Sequence, residues 1–157
     1  MNTRSCGVLL HITSLPSRFG IGDLGPAAHD FIRFLSDAGQ RYWQILPVHP
    51  TDPVYDNSPY HALSAFATNP LLISPELMVS DGYLDMSDLT GAPVFPEEMV
   101  DYPSVIEWKE KLFSIAYDRF TRRVPPAGFM EFCRKNEFWL DEYALFMALR
   151  KRMHPLS

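Results

Sequence analysis

The sequence predicts an α/β protein built on a parallel sheet, and three observations carry that expectation. Two short apolar runs, Gly7–His11 ("GVLLH") and Arg41–Val48 ("RYWQILPV"), suit strands buried on both faces. Between them, Pro26–Ala38 ("PAAHDFIRFLSDA") has the pattern of an amphipathic helix. The connections leaving the two strands are long and rich in Gly, Pro, Ser, Tyr and Asn, whereas the one entering the second strand is only Gly39-Gln40. Strand, loop, helix and strand within roughly 40 residues make a βαβ unit with a right-handed crossover. Long exits and a short return are the asymmetry of barrels and doubly wound sheets, whose sites lie at the C-terminal edge of the strands.

Each element has a local reason. Pro26 suits the first helical position. Phe31, Phe34, Leu35 and Ala38 share one face, and Gly39 can supply the left-handed residue that ends the helix. Pro47 marks the exit of the second strand. Beyond Pro70, "LLISPELMVSDGYL" reads as a short apolar segment and a helical turn, and "DMSDLTGAPVFPEEMVDYP" as a loop with extended pieces. Ser104 with Glu107 three residues on forms a capping box that opens a helix. Val105, Trp108, Leu112, Ile115 and Tyr117–Phe120 carry its stripe to Arg123. "VPPAG" breaks it, and helical runs follow over Phe129–Lys135 and Phe138–Arg152. The last run is apolar nearly all round and needs cover on every side. Two parallel strands are no stable sheet by themselves, so the chain is expected to be cut short.

Composition excludes several functions. With 157 residues, 46% of them hydrophobic, the chain can bury one good-sized core. The 14 basic residues are outnumbered by 19 acidic ones, a net charge of -5, which leaves no basic excess to meet nucleic acid or an anionic membrane surface. No apolar run approaches the roughly 20 residues that span a bilayer, and Val8-Leu9-Leu10 is too short for a secretory h-region. Cys6 and Cys133 stand in no metal motif and read as buried, reduced thiols of a cytoplasmic protein. His29, His49 and His61 have no metal-ligand spacing, so neither metal nor cofactor is expected. Aromatic residues reach 13%. They supply core area, and they are also the platforms on which flat-faced ligands such as sugars stack.

The aromatic loop "YDNSPYHALSAFATNP", Tyr55–Pro70, leaves the second strand and so falls on the functional rim. It is too polar for a strand interior and too aromatic for a plain linker. Together, "GVLLHITSLPSRFGIGDLGPAAHDFIRFLSDAGQRYWQILPV" and "NSPYHALSAFATNPLLISPE" closely resemble the start of the 4-α-glucanotransferases called amylomaltase or disproportionating enzyme, and "FWLDEYALFMAL" resembles a later stretch of them. The resemblance implies the first part of a TIM (β/α)₈ barrel over residues 1–70, two parallel strands and the first helix. Over 71–157 it implies the start of a mainly helical insertion, truncated at its end. A complete barrel needs about 250 residues, and the tail "RKRMHPLS" departs from the family, which implies a break near Arg150.

The activity implied is retaining transfer of α-1,4-glucan segments between maltooligosaccharides, through an attacking carboxylate and an acid about 5–5.5 Å apart. The family takes its catalytic carboxylates from later strands, so no catalytic residue is assigned here and the chain alone is expected to be inactive. Asp23, beside glycines, reads as a turn former. Asp141 and Glu142 are adjacent on a helix and face apart. By resemblance, Tyr60 and Ser58 wall the sugar site nearest the cleaved bond. Asp56 is a candidate hydroxyl contact, and Tyr55 stands where the family places an aromatic farther out. Packing is the favoured reading for Tyr55 and sugar contact for Tyr60. His11 and Ser14 end the first strand and support the rim without touching sugar. The expected partners are α-1,4-glucans, maltooligosaccharides and the missing remainder of the barrel. The competing readings are a non-catalytic α-glucan-binding module and a structural partner that docks its C-terminal helix on another chain.

Overall fold

The computed structural model describes residues 4–153; the tail positions 154–157 discussed above lie outside them. Two parallel strands, β1 (Gly7–Leu9) and β2 (Tyr42–Gln44), pair in the register Gly7↔Tyr42, Val8↔Trp43, Leu9↔Gln44. The parallel βαβ unit is therefore present, an α/β arrangement with helix α1 (Pro26–Asp37) as its crossover. The strands are shorter than the apolar runs and are not buried on both faces, since Leu9 is 60% and Tyr42 64% exposed. Among the described residues each strand has a single neighbour, and that leaves a sheet face and both edges open.

Pro26 opens α1 behind Gly25, as its fixed φ and missing N–H favour. Ala28 and Leu35 are buried, and the Phe31 ring meets Trp43 edge-on at 5.0 Å. Ile12, Leu15, Ala28 and Leu72 form the core between helix and sheet. Phe34, expected on the covered face, is 63% exposed, because the covered arc follows Ala28, Phe31 and Leu35 and the narrow sheet reaches no farther. The helix ends as predicted at Gly39, φ +68. Its N–H donates to Ser36 O, and Gln40 N–H donates to Leu35 O at 2.9 Å, the paired bonds of a Schellman motif. A Cβ at Gly39 meets nothing within 4 Å. Gly39→Ala is thus expected to cost only the backbone penalty, about 1–2 kcal/mol, with Gly39→Asn costing less. Urea midpoints of the three chains check this.

The chain divides into two compact units, Met1–Arg119 and Phe120–Ser157. In the first, helix α3 (Tyr102–Thr121) supplies the main core stripe. Trp108, Leu112 and Ala116 pack with Phe19, Leu84 and Leu89, and Val105 packs with Ile21 and Leu71. Helix α2 (Pro75–Ser80) is capped by the Ser74 hydroxyl, which accepts from Leu77 N–H. The segment expected to be loop holds a 3₁₀ stretch, Met86–Gly91, tied down where Arg119 meets Asp88 at 2.5 Å and Asp85 at 2.9 Å.

The start of α3 corrects the capping-box expectation. Asp101 precedes the helix and accepts from both Ser104 N–H and the Ser104 hydroxyl, the latter at 2.6 Å, while Glu107 pairs with Lys111 instead. Asp101 stands three residues before Ser104 and meets the free N–H groups of a helix that begins earlier than expected, at Tyr102. The second unit also differs. The two expected runs are one helix, α4 (Ala127–Met153), and none of its residues is buried. Asn136, between the two expected runs, lies within the helix and donates to Phe132 O while accepting from the Trp139 indole. The cysteines are not buried either: Cys6 is exposed and Cys133 half-buried, both as free thiols.

Candidate functional site

Beyond the C-terminal ends of β1 and β2 the backbone opens into a cleft of about 170 Å³. His11, Thr13 and Ser14 reach it from the 3₁₀ turn that follows the first strand, and Thr51, Asn57 and Pro59 from the loop after the second. Tyr102, at the start of α3, closes one side and is hydrogen-bonded to Thr13; burial pushes its phenol up and that bond pulls it back. None of the residues lining the cleft carries a carboxylate. Complete small-molecule pockets usually measure roughly 300–1,000 Å³, and this cleft is smaller. A wider surface groove of about 830 Å³ lies between residues 16–21 and 93–100, away from the strand ends.

The rim loop is ordered by its short polar side chains. Asp52, 6% exposed, accepts from Val54 N–H at 3.0 Å and caps the 3₁₀ turn Pro53–Tyr55. Asp56 and Asn57 follow in left-handed conformation, at φ +52 and +53, a region that Asp and Asn tolerate best after glycine. Asn57 N–H donates back to Asp52 O at 3.0 Å. The loop closes at Asn69, whose N–H donates to Val48 O and whose side chain caps Leu71.

The sequence-predicted residues take distinct places on this frame. Tyr60 is 70% exposed. Ser58 accepts from Tyr60 N–H at 3.4 Å, and its own N–H donates to Tyr55 O. Asp56 is exposed at the left-handed bend. Tyr55 stacks on His61, ring centres 4.8 Å apart, and stays half exposed. The four share one turn, and Pro59 within it borders the cleft. His11 and Ser14 line the cleft itself. The His11 Nδ1 accepts from Leu46 N–H, and burial lowers its pKa, so the ring is neutral near pH 7 and holds the end of β2.

Sequence reasoning missed Thr51, Asn57, Asn69 and Tyr102. The signals available were the Asp and Asn placed before or near proline at 52 and 69, residues that initiate turns. It also missed Lys109, fully buried in α3, whose ammonium donates to Leu71 O at 2.6 Å and Ile73 O at 2.9 Å and faces Asp23 at 3.6 Å. Asp23 is the predicted turn former, accepting from Gly25 N–H, and is also the lysine's counter-charge. Burial pushes its carboxyl up, against the pull of Lys109 and the Gly25 N–H.

Residues 10–156 match the family profile described as 4-alpha-glucanotransferase. The chain belongs to the 4-alpha-glucanotransferase family. It is 47% identical to the 4-alpha-glucanotransferase of Synechocystis sp. over 96% of its length, which is 30% of that protein. It is 44% identical to that of Thermus thermophilus, over 94% of this chain and 29% of the relative. The amylomaltase of Streptococcus agalactiae, solved in complex with acarbose, superposes with a TM-score of 0.87 at 35% identity, covering 96% of this chain and 30% of that one. The chain thus spans about 30% of the 4-alpha-glucanotransferases it matches and aligns with their N-terminal part.

Proposed function

We propose that this chain is the opening part of the (β/α)₈ barrel of a 4-α-glucanotransferase, and that it walls the glucan-binding cleft without supplying the reacting carboxylates. The observation that carries the reading is the make-up of the cleft. It lies at the C-terminal strand ends, where barrel enzymes bind substrate, and its lining is hydroxyl, amide, imidazole, proline and the aliphatic Leu46, Val48 and Leu72, with no acid. Retaining transfer needs an attacking carboxylate and a proton donor, so both come from outside this wall. In this role Tyr60 offers its open ring face to a glucose unit of an α-1,4-glucan. Ser58 and Asp56 offer oxygens to sugar hydroxyls, while Tyr55, stacked on His61, serves the shape of the loop. His11 and Ser14 hold the strand ends beneath. The acarbose-bound amylomaltase supports a maltooligosaccharide as the ligand.

By itself such a wall behaves as an α-glucan-binding module. Titration with maltotriose or acarbose, followed by tryptophan fluorescence, is expected to saturate. Tyr60→Ala is expected to weaken the affinity about tenfold, the factor that 1.4 kcal/mol of lost ring contact converts to. No glucose transfer between maltotriose molecules is expected from the chain alone. Transfer by the purified chain, or full affinity in Tyr60→Ala, overturns the reading.

A further inference from the structure

The loop after β2 returns to its own starting point. Asn69 N–H donates to Val48 O at 2.8 Å, Leu63 N–H donates to Pro50 O at 3.0 Å, and His49 Nδ1 lies 3.3 Å from Ala67 O. Inside that closed stem the backbone reverses through Asp56 and Asn57, two consecutive non-glycine residues at positive φ. Such a pair is disfavoured and persists only where its surroundings hold it. Backbone bonds close the turn, Asp56 N–H to Pro53 O at 3.1 Å and Asn57 N–H to Asp52 O at 3.0 Å, and the Asn57 side chain is fixed by one hydroxyl. Thr51 Oγ1 donates to Asn57 Oδ1 at 3.2 Å and accepts from Asn69 Nδ2 at 3.3 Å. Asn57 and Asn69 are each only 8% exposed, so water is a poor substitute partner for either.

We propose that Thr51 is a positioning residue for the glucan site. Its hydroxyl joins the closed stem, at Asn69, to the left-handed turn, at Asn57, and so sets the direction in which Ser58 and Tyr60 are presented. The Thr51 hydroxyl donates to one amide and accepts from the other through a single oxygen; an apolar isostere does neither. Downstream of Asn57 the turn is stiff. Ser58 N–H donates to Tyr55 O, His61 N–H donates to Ser58 O, and Tyr60 N–H donates to the Ser58 hydroxyl. The orientation of Asn57 is therefore passed on to Tyr60, three residues away. This inference rests on the reading of Tyr60 as a sugar contact.

Thr51→Val and Thr51→Ser separate the hydroxyl from the volume. Two measurements on the intact chain are needed: amide hydrogen exchange of residues 52–61, with α3 as internal reference, and maltotriose affinity by fluorescence. In Thr51→Val the loop amides are expected to exchange about tenfold faster with α3 unchanged, and affinity to fall about tenfold. Thr51→Ser is expected to restore both. Unchanged loop exchange in the valine variant overturns the proposal, as does a serine variant no better than valine. A loosened loop with full affinity also overturns it, confining Thr51 to loop structure. If the unsubstituted chain binds no maltotriose, the glucan-site reading fails separately, and loop exchange alone judges the Thr51 link.

Discussion

Lys109→Met is expected to destabilise the protein by about 3–5 kcal/mol, the usual cost of removing one partner of a buried charge pair. The side chain is 0% exposed. Removing its ammonium leaves Leu71 O and Ile73 O without their donor, and leaves the Asp23 carboxylate facing an apolar chain. Lys109→Met combined with Asp23→Asn is expected to recover part of the loss, because no uncompensated charge then remains. Denaturant midpoints of the three chains measure this, and a single variant within about 1 kcal/mol of wild type would sink the account.

The same lysine has a pH signature. Burial lowers its pKa from 10.5 to about 8, against the opposing pull of Asp23. It stays protonated at pH 7. Between pH 8 and 10.5 the unfolded chain holds a proton that the folded chain releases, so stability from this group rises with pH across that window and is flat below it. The full rise is on the order of 3 kcal/mol. Subtracting the Lys109→Met curve from the wild-type curve isolates it, and a difference that falls with pH between 8 and 10.5 contradicts the assignment.

Trp108→Ala is expected to cost about 3–5 kcal/mol, from lost transfer energy and the cavity left behind. Trp108 is 6% exposed. It stacks on Phe19 at 5.0 Å and meets Phe95 edge-on at 6.1 Å, with Leu84, Leu89 and Leu112 in the same cluster. Phe19 comes from the loop after β1 and Trp108 from α3, so one side chain binds segments far apart in sequence. Trp108→Phe keeps the stack and is expected to lose less. Guanidinium unfolding ranks the variants. Equal losses for Phe and Ala would show that ring contact contributes little.

Much of the site was legible because its residues act locally. The turn at Gly39 was read from its neighbours, and Tyr55, Asp56, Ser58 and Tyr60 were placed on the loop after β2. The left-handed Asp56 and Asn57 and the caps at Asp52 and Asn69 are equally local and went unread. Asp101 shows the limit of such reading. Ser104 and Glu107 have the spacing of a capping box, yet an earlier acid caps the helix and Glu107 pairs with Lys111. The Thr51 link was not legible, since it spans 18 residues to Asn69.

What the sequence by itself determined is the βαβ unit, its helix ends, the rim loop and the family, all of which are written in short-range pattern or long contiguous strings. Tertiary structure decided the rest. It buried Lys109 against carbonyls 36 and 38 residues away, drew the Thr51 hydroxyl between two asparagines, and left Phe34 and α4 uncovered. Periodicity marks which face of a helix is apolar. Whether that face is covered, and which distant polar group meets a buried charge, depends on packing between segments that the local pattern does not encode.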